Sequence, residues 1–102
     1  MAKALSEMEV AKFLKSSLKE WTFEDNSIKR DVKFKTFVEA FSFMTTIAME
    51  AEKMDHHPNW SNSYNKVKIA LTTDSEKSVT QLDFDLATII DSTYEKYMQG
   101  VK

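Results

Sequence analysis

The sequence predicts an α+β fold, in which three helices pack on one face of a four-stranded antiparallel sheet in the order α-β-β-α-β-β-α. In three segments apolar residues recur at spacings of three and four, and each segment follows a helix-capping pattern. The segments between them alternate apolar with polar residues, which is typical of strands with one covered face and one wet face. Such a sheet needs helices on its apolar face alone.

The three helix starts share a capping box, in which a Ser or Thr side chain accepts from an amide three residues on while an acidic side chain there reaches back. The pairs are Ser6 with Glu9, Thr36 with Glu39, and Thr80 with Asp83. We expect helices over about 7–18, 37–55 and 81–97. Pro58 prevents any continuation of the second helix. The apolar stripe expected on that helix is Phe37, Ala40, Phe41, Met44, Ile47, Ala48, Ala51 and Met54.

The strand segments are marked by alternation and by turn residues between them. The expected strands are 21–24, 28–34, 66–71 and a short one near Ser78 and Val79. Asp25, Asn26 and Ser27 supply the turn of the first hairpin, and Arg30 interrupts its apolar face. We expect the exposed sheet face or an edge strand to be a dimer surface.

Composition excludes several classes of protein. The 102 residues fit one domain, 1–102, and a net charge of -2 gives no surface-wide attraction for nucleic acid or anionic membranes. There is no Cys, so disulfides, thiolate nucleophiles and zinc–thiolate sites are excluded. A single Gly excludes glycine-rich phosphate loops. No apolar run approaches ~20 residues and no secretory signal is visible, so we expect a cytoplasmic protein that is also compatible with the nucleus.

The segment 52–60, "EKMDHHPNW", holds both histidines, the only proline and one of the two tryptophans. It reads in one way as a helix end, because cationic side chains there complement the helix dipole. It reads in another way as a site for acid–base chemistry, since His both donates and accepts protons near neutral pH. In that case Glu52 and Asp55 are candidates to orient an imidazole. A metal site is a third reading, but adjacent histidines do not share a helix face as an i, i+4 pair does.

The run from Glu52 to Asp83 resembles the signature of the pterin-4a-carbinolamine dehydratases. The matching positions are Glu52, His56, His57, Pro58, Tyr64 and Asp83, and "HHPNWSNSYNKV" and "LTTDSEKSVTQLDFDLA" extend the likeness. The resemblance implies dehydration of 4a-hydroxytetrahydropterins to quinonoid dihydropterins in the recycling of tetrahydrobiopterin, without metal or organic cofactor. It also implies a homodimer or homotetramer and, by analogy with some animal members, a transcription-factor partner.

By the same resemblance, His56 acts as a general acid and His57 holds the substrate and assists proton transfer, while Pro58 and Trp60 shape the wall. The family has a third catalytic His where this chain has Asp74, which favours an enzyme that prefers one 4a-epimer. Strand parity predicts that Asp74 faces away from the core unless the turn redirects it.

Two further motif positions have structural explanations. Asp83 completes a capping box and needs no contact with substrate, and Tyr64 is expected to pack beside the site. The alternatives to an enzyme are an interaction module that has lost catalysis and a structural metal protein.

Overall fold

The computed structural model describes residues 3–99 and has the predicted order of elements. The helices are α1 (Glu7–Ser16), α2 (Phe37–Met54) and α3 (Gln81–Gln99), and the strands are β1 (Thr22–Glu24), β2 (Ser27–Lys33), β3 (Asn59–Ser63) and β4 (Lys66–Leu71). A short 3-10 helix, Asp74–Glu76, precedes α3. The α+β class and the four-stranded antiparallel sheet are therefore confirmed.

The sheet has the strand order β1-β2-β4-β3, and every neighbouring pair is antiparallel. The predicted strand near Ser78 is wrong, because Ser78 makes only an isolated bridge with Thr73. The fourth strand is β3 instead, in the stretch "NWSNS" that the sequence presented as a loop after Pro58. As an edge strand, β3 carries one large apolar side chain, Trp60, so it lacks the alternation that marks the other strands.

The sheet's inner face and the three helices enclose one hydrophobic core. On α2 the expected apolar stripe is partly wrong. Phe43, which was not assigned to it, is fully buried, whereas Phe37 and Phe41 are exposed. Apolar residues occur on both sides of α2, so spacing alone cannot decide which side faces the sheet.

Arg30 lies on the inner face of β2 and does not remain unpaired there. Its Nη1 lies 2.6 Å from Asp91 Oδ1 on α3, and its guanidinium carbon lies 5.0 Å from the ring centre of Tyr94. The same Asp91 oxygen accepts a 2.9 Å hydrogen bond from Trp21 Nε1. One carboxylate thus joins α3 to the first hairpin, which explains how a cation is tolerated on an otherwise apolar face.

The capping predictions are met to different degrees. Ser6 and Glu9 form the full reciprocal box, at 3.1 and 2.9 Å. Thr36 accepts from the Glu39 amide, but the Glu39 side chain accepts from the Lys35 amide instead of reaching Thr36.

Within residues 3–99, no helix is both long and apolar enough to cross a membrane.

Candidate active site

The end of α2 directs the two histidines into different environments. Asp55 adopts a left-handed backbone conformation at the C-cap, with φ 52° and ψ 42°. The amides of Asp55 and His56 still donate to carbonyls of the last helical turn, to Glu52 at 3.1 Å and to Ala51 at 3.0 Å. The chain then leaves the helix abruptly, so the neighbouring side chains of His56 and His57 diverge.

His56 turns inward and pairs with Asp83. Its Nε2 lies 2.6 Å from Asp83 Oδ1. His56 is only 8% exposed and Asp83 is 0% exposed. A buried carboxylate needs partners for its remaining lone pairs. Asp83 Oδ2 has two of them, the Thr73 hydroxyl at 2.8 Å and the Thr80 amide at 2.9 Å.

Asp83 therefore has two roles that the sequence treated as alternatives. Its contact with the Thr80 amide completes the reaching-back half of the predicted capping box. Its other oxygen holds the imidazole of His56 from the N-terminus of α3. Because a carboxylate only accepts hydrogen bonds, the ionised form of Asp83 places a proton on His56 Nε2. Nδ1 is then the ring nitrogen that can exchange a proton with a ligand.

His57 turns outward and pairs with Glu52. Its Nε2 lies 2.9 Å from Glu52 Oε1, and both side chains are mostly exposed. Because the pair is open to solvent, it contributes little to stability. It does restrict the ring's orientation beside the buried His56–Asp83 pair. The expectation that Glu52 orients a histidine thus has a structural basis, with His57 as its partner.

The other predicted substrate-binding residues lie between the end of α2 and the start of β3, next to the histidines in the chain. Pro58 is half-buried at the entry to β3, and Trp60 is half-buried on the inner face of the sheet, opposite Ile69. Asp55 is exposed at the helix C-cap. Its carboxylate forms no hydrogen bond or ion pair with either imidazole, whose partners are Asp83 and Glu52.

Asp74 is the residue directly after Thr73, which is one of the hydrogen-bonding partners of the buried Asp83. Thr73 is buried and donates to Asp83, whereas Asp74 is exposed at the start of the 3-10 helix. This exposure agrees with the strand parity.

Tyr64 was expected to pack beside the site, and that expectation is wrong. It sits in the β3–β4 turn with φ 54° and is 65% exposed, at the end of β3 remote from the histidines.

Thr73 is the site residue that the sequence reasoning missed. Its hydroxyl contacts both Asp83 Oδ2, at 2.8 Å, and Thr80 Oγ1, at 2.7 Å. The alternation of β4 could have identified it, because Thr73 follows Ile69 and Leu71 at the same spacing of two and so lies on the buried face, just past the end of the strand. A polar residue on the buried face needs a hydrogen-bonding partner.

No group of three His, Asp or Glu side chains within residues 3–99 is arranged to hold a metal ion.

Comparison with known proteins agrees with this geometry. The family model described as pterin 4 alpha carbinolamine dehydratase matches residues 3–93. The chain belongs to the pterin-4a-carbinolamine dehydratase family. One family member from Prochlorococcus marinus (strain NATL2A) is 49% identical over 71 residues, covering 70% of this chain and 75% of its own. Another, from P. marinus strain MED4, is 46% identical over 92 residues, covering 90% and 96%. Both bear the provisional name pterin-4-alpha-carbinolamine dehydratase.

The family's fold is also seen in a solved structure. A crystal structure from Brucella melitensis, described as a transcriptional coactivator/pterin dehydratase, has a TM-score of 0.87 and 41% sequence identity to this chain. The match covers 90% of this chain and 99% of that one. The dehydratase fold therefore extends over nearly all the elements described above.

Proposed function

We propose that this protein dehydrates a 4a-hydroxytetrahydropterin to the quinonoid dihydropterin, a reaction that serves the recycling of tetrahydrobiopterin. The observation that carries the proposal is the pair of adjacent imidazoles, each held by its own carboxylate, one buried and one exposed. Family membership names the reaction, and this arrangement supplies the acid and base groups that the reaction needs. The proposed reaction needs no metal and no organic cofactor.

The dehydration consists of one bond cleavage and two proton movements. His56, protonated on both ring nitrogens, donates the Nδ1 proton to the 4a-hydroxyl oxygen of the substrate. The C4a–O bond breaks, water leaves, and the N5 lone pair forms the C4a=N5 double bond. The proton on N5 is then lost to a base. Asp83 contributes by holding the His56 ring through Nε2, so that Nδ1 is the nitrogen presented to the substrate.

His57 holds the substrate and assists the transfer of the N5 proton. Glu52 accepts from His57 Nε2 and so leaves the opposite ring nitrogen, Nδ1, available to the pterin. Trp60 and Pro58 offer an apolar wall for the flat bicyclic ring. Asp55 remains a candidate for a direct contact with the substrate, since its exposed carboxylate contacts neither histidine.

Asp74 gives the proposed enzyme a stereochemical preference. This exposed residue has a carboxyl group where the family has an imidazole, and an ionised carboxylate only accepts hydrogen bonds. One face of the substrate then has His56 as its acid, and the other lacks an equivalent. The proposed enzyme therefore turns over one 4a-epimer faster than the other.

The direct test is a dehydratase assay on the purified protein with chemically generated 4a-hydroxytetrahydropterin. The proposal expects the quinonoid product to form much faster than in the uncatalysed reaction, with saturation by substrate. A rate equal to the uncatalysed rate at high enzyme concentration would reject it.

A second function, as an interaction module, is favoured by one feature of α2. This helix exposes Val38 (71%), Phe41 (57%) and Met49, together with Phe37 at its start. Isolated apolar residues are common on surfaces, but several on one helix are typical of an interface. We propose that this face takes part in a homodimer or homotetramer. The coactivator description of the Brucella protein also suggests a transcription-factor partner. Such a protein would work in the cytoplasm or nucleus.

The enzyme and the interaction module differ in pterin binding. A ligand that binds the native state stabilises it by RT ln(1 + [L]/Kd). A non-reactive pterin analogue at a hundred times its Kd stabilises an active enzyme by about 2.7 kcal/mol, which thermal unfolding detects. An unchanged unfolding temperature at millimolar analogue favours the interaction module, and light scattering then reports its state of association.

A further inference from the structure

The outer face of the sheet carries an excess of positive charge that the proposed reaction does not use. This face points away from the helices, and its side chains form rows across the strands. In one row Lys33 lies opposite Lys66, which lies opposite Ser63. In the next row Asp31 lies opposite Lys68, which lies opposite Ser61. We call Lys33, Lys66, Lys68, Ser61 and Ser63 the lysine–serine cluster.

The three lysines of this cluster have one acidic residue in register, Asp31 opposite Lys68. Among the described residues, no ion pair involves Lys33, Lys66 or Lys68. Lys29, on the same face, differs. It contacts Glu24 at 3.3 Å and Asp25 at 3.5 Å, and the hydrogen bond to Glu24 raises its pKa.

The directly opposed pair, Lys33 and Lys66, is unfavourable for the isolated sheet. Cβ atoms of opposite residues are about 4.5–5.5 Å apart, and like charges at that spacing repel. A dianion bound beside Lys66 would offset this repulsion. The overall net charge of -2 shows that this positive potential is local and not a property of the whole surface.

Four residues of the cluster line a hollow of suitable size and chemistry, and Lys33 lies outside this lining. A cavity of about 370 Å³ is lined by Ser61, Ser63, Lys66 and Lys68. Two ammonium groups and two hydroxyls are all hydrogen-bond donors. Apart from Ala70, the outward residues of β2, β3 and β4 are polar, so no aromatic platform is available for stacking a nucleobase or another flat ring.

We propose that the lysine–serine cluster is a binding site for the phosphoryl group of a small molecule, which lies in the hollow between Lys66, Lys68, Ser61 and Ser63 with Lys33 adding positive charge beside it. Lysine binds phosphate as a point charge, and hydroxyls add directed hydrogen bonds. The site is separate from the histidines. Lys66 begins β4 and Leu71 ends it, about 17 Å away at ~3.4 Å per residue, and Thr73, which contacts Asp83, lies beyond Leu71.

The test uses pyrophosphate and inorganic phosphate as probes in an NMR titration of the full-length protein. Amide shifts are compared with those caused by potassium chloride at equal ionic strength. We expect saturable shifts confined to β3, β4 and the end of β2, with pyrophosphate binding tighter than phosphate. Lys66→Gln should weaken pyrophosphate at least tenfold. Lys96→Gln makes the same change in net charge at an exposed position of α3, and it should leave the affinity for pyrophosphate unchanged.

Several outcomes would overturn the proposal. One is a shift that does not saturate or that spreads over lysines throughout the surface. Another is an equal loss of pyrophosphate affinity in Lys66→Gln and Lys96→Gln, because binding would then depend only on the net charge of the protein. Lys66→Gln removes a repulsive pair, so it should fold at least as stably as the wild type, and its melting temperature checks this. A short oligothymidylate that binds more than ten times tighter than pyrophosphate would overturn the assignment to a small molecule.

Discussion

Replacing Asp83 with Asn tests whether the buried carboxylate controls His56. The change keeps the shape of the side chain and removes its charge. One oxygen can still accept from the Thr73 hydroxyl and the Thr80 amide, at the 2.8 and 2.9 Å positions now held by Oδ2. The amide nitrogen then faces His56 Nε2 across 2.6 Å and can only donate. His56 must therefore carry its single proton on Nδ1 and keep Nε2 unprotonated, so the doubly protonated ring that serves as the acid in the proposed mechanism cannot form.

The expected magnitudes follow from these contacts. A hydrogen bond to a charged group contributes about 1.5–3 kcal/mol and a neutral one about 0.5–1.5 kcal/mol. Asp83→Asn should thus lower the free energy of unfolding by about 1–2 kcal/mol. Asp83→Ala leaves at least two buried donors unsatisfied and should cost about 2–6 kcal/mol, enough to threaten folding. The Asn variant is therefore the informative one. Its kcat should fall by about 10²–10⁴, the usual contribution of a positioned acid.

Three measurements check this prediction. Urea unfolding followed by tryptophan fluorescence gives the stability change, nitrogen NMR of the imidazole gives the tautomer, and the dehydratase assay gives kcat. Asp85→Asn is the matched control, since its carboxylate is exposed near the start of α3 and only accepts from Gln81. A kcat within threefold of wild type in Asp83→Asn, with the ring proton moved to Nδ1, would refute the assigned role of Asp83.

Three further predictions concern single side chains. His57→Ala should lower kcat/KM by about 10²–10⁴ yet change the free energy of unfolding by less than ~0.5 kcal/mol, because this side chain is exposed; near-wild-type turnover would remove His57 from the mechanism. Asp74→His should narrow the difference in turnover between the two 4a-epimers, and equal wild-type rates would refute the proposed asymmetry. Asp91→Ala leaves Arg30 unpaired in a mostly buried position and should cost about 2–4 kcal/mol in urea unfolding; a loss below 0.5 kcal/mol would contradict the account of this ion pair.

Local signals in the sequence predicted the helices well. Ser6 and Glu9 form the reciprocal box that their spacing predicts, and α2 ends before Pro58, as the ring of proline requires. The first hairpin and β4 followed from alternation. These features depend on residues a few positions apart, whose backbone sterics and hydrogen bonds are nearly independent of the rest of the chain.

Two errors arose where the local signal was weak. β3 is an edge strand with mostly small polar side chains, so its sequence has the composition of a loop, and only pairing with β4 makes it a strand. On α2, Phe41 and Phe43 are equally apolar, and the position of the sheet decides that Phe43 is buried while Phe41 is exposed.

The sequence by itself determined the order of elements, the helix ends and the segment that carries both histidines. It did not determine which acid serves which histidine. Glu52, one helical turn away, could have served either ring, and the sequence treated Asp83 chiefly as a helix cap. The tertiary structure pairs Glu52 with His57 and brings Asp83, 27 positions along the chain, to His56. The physical reason is burial: packing α3 against α2 and the sheet removes Asp83 from water, and a buried carboxylate must take as partners the donors that the fold places around it.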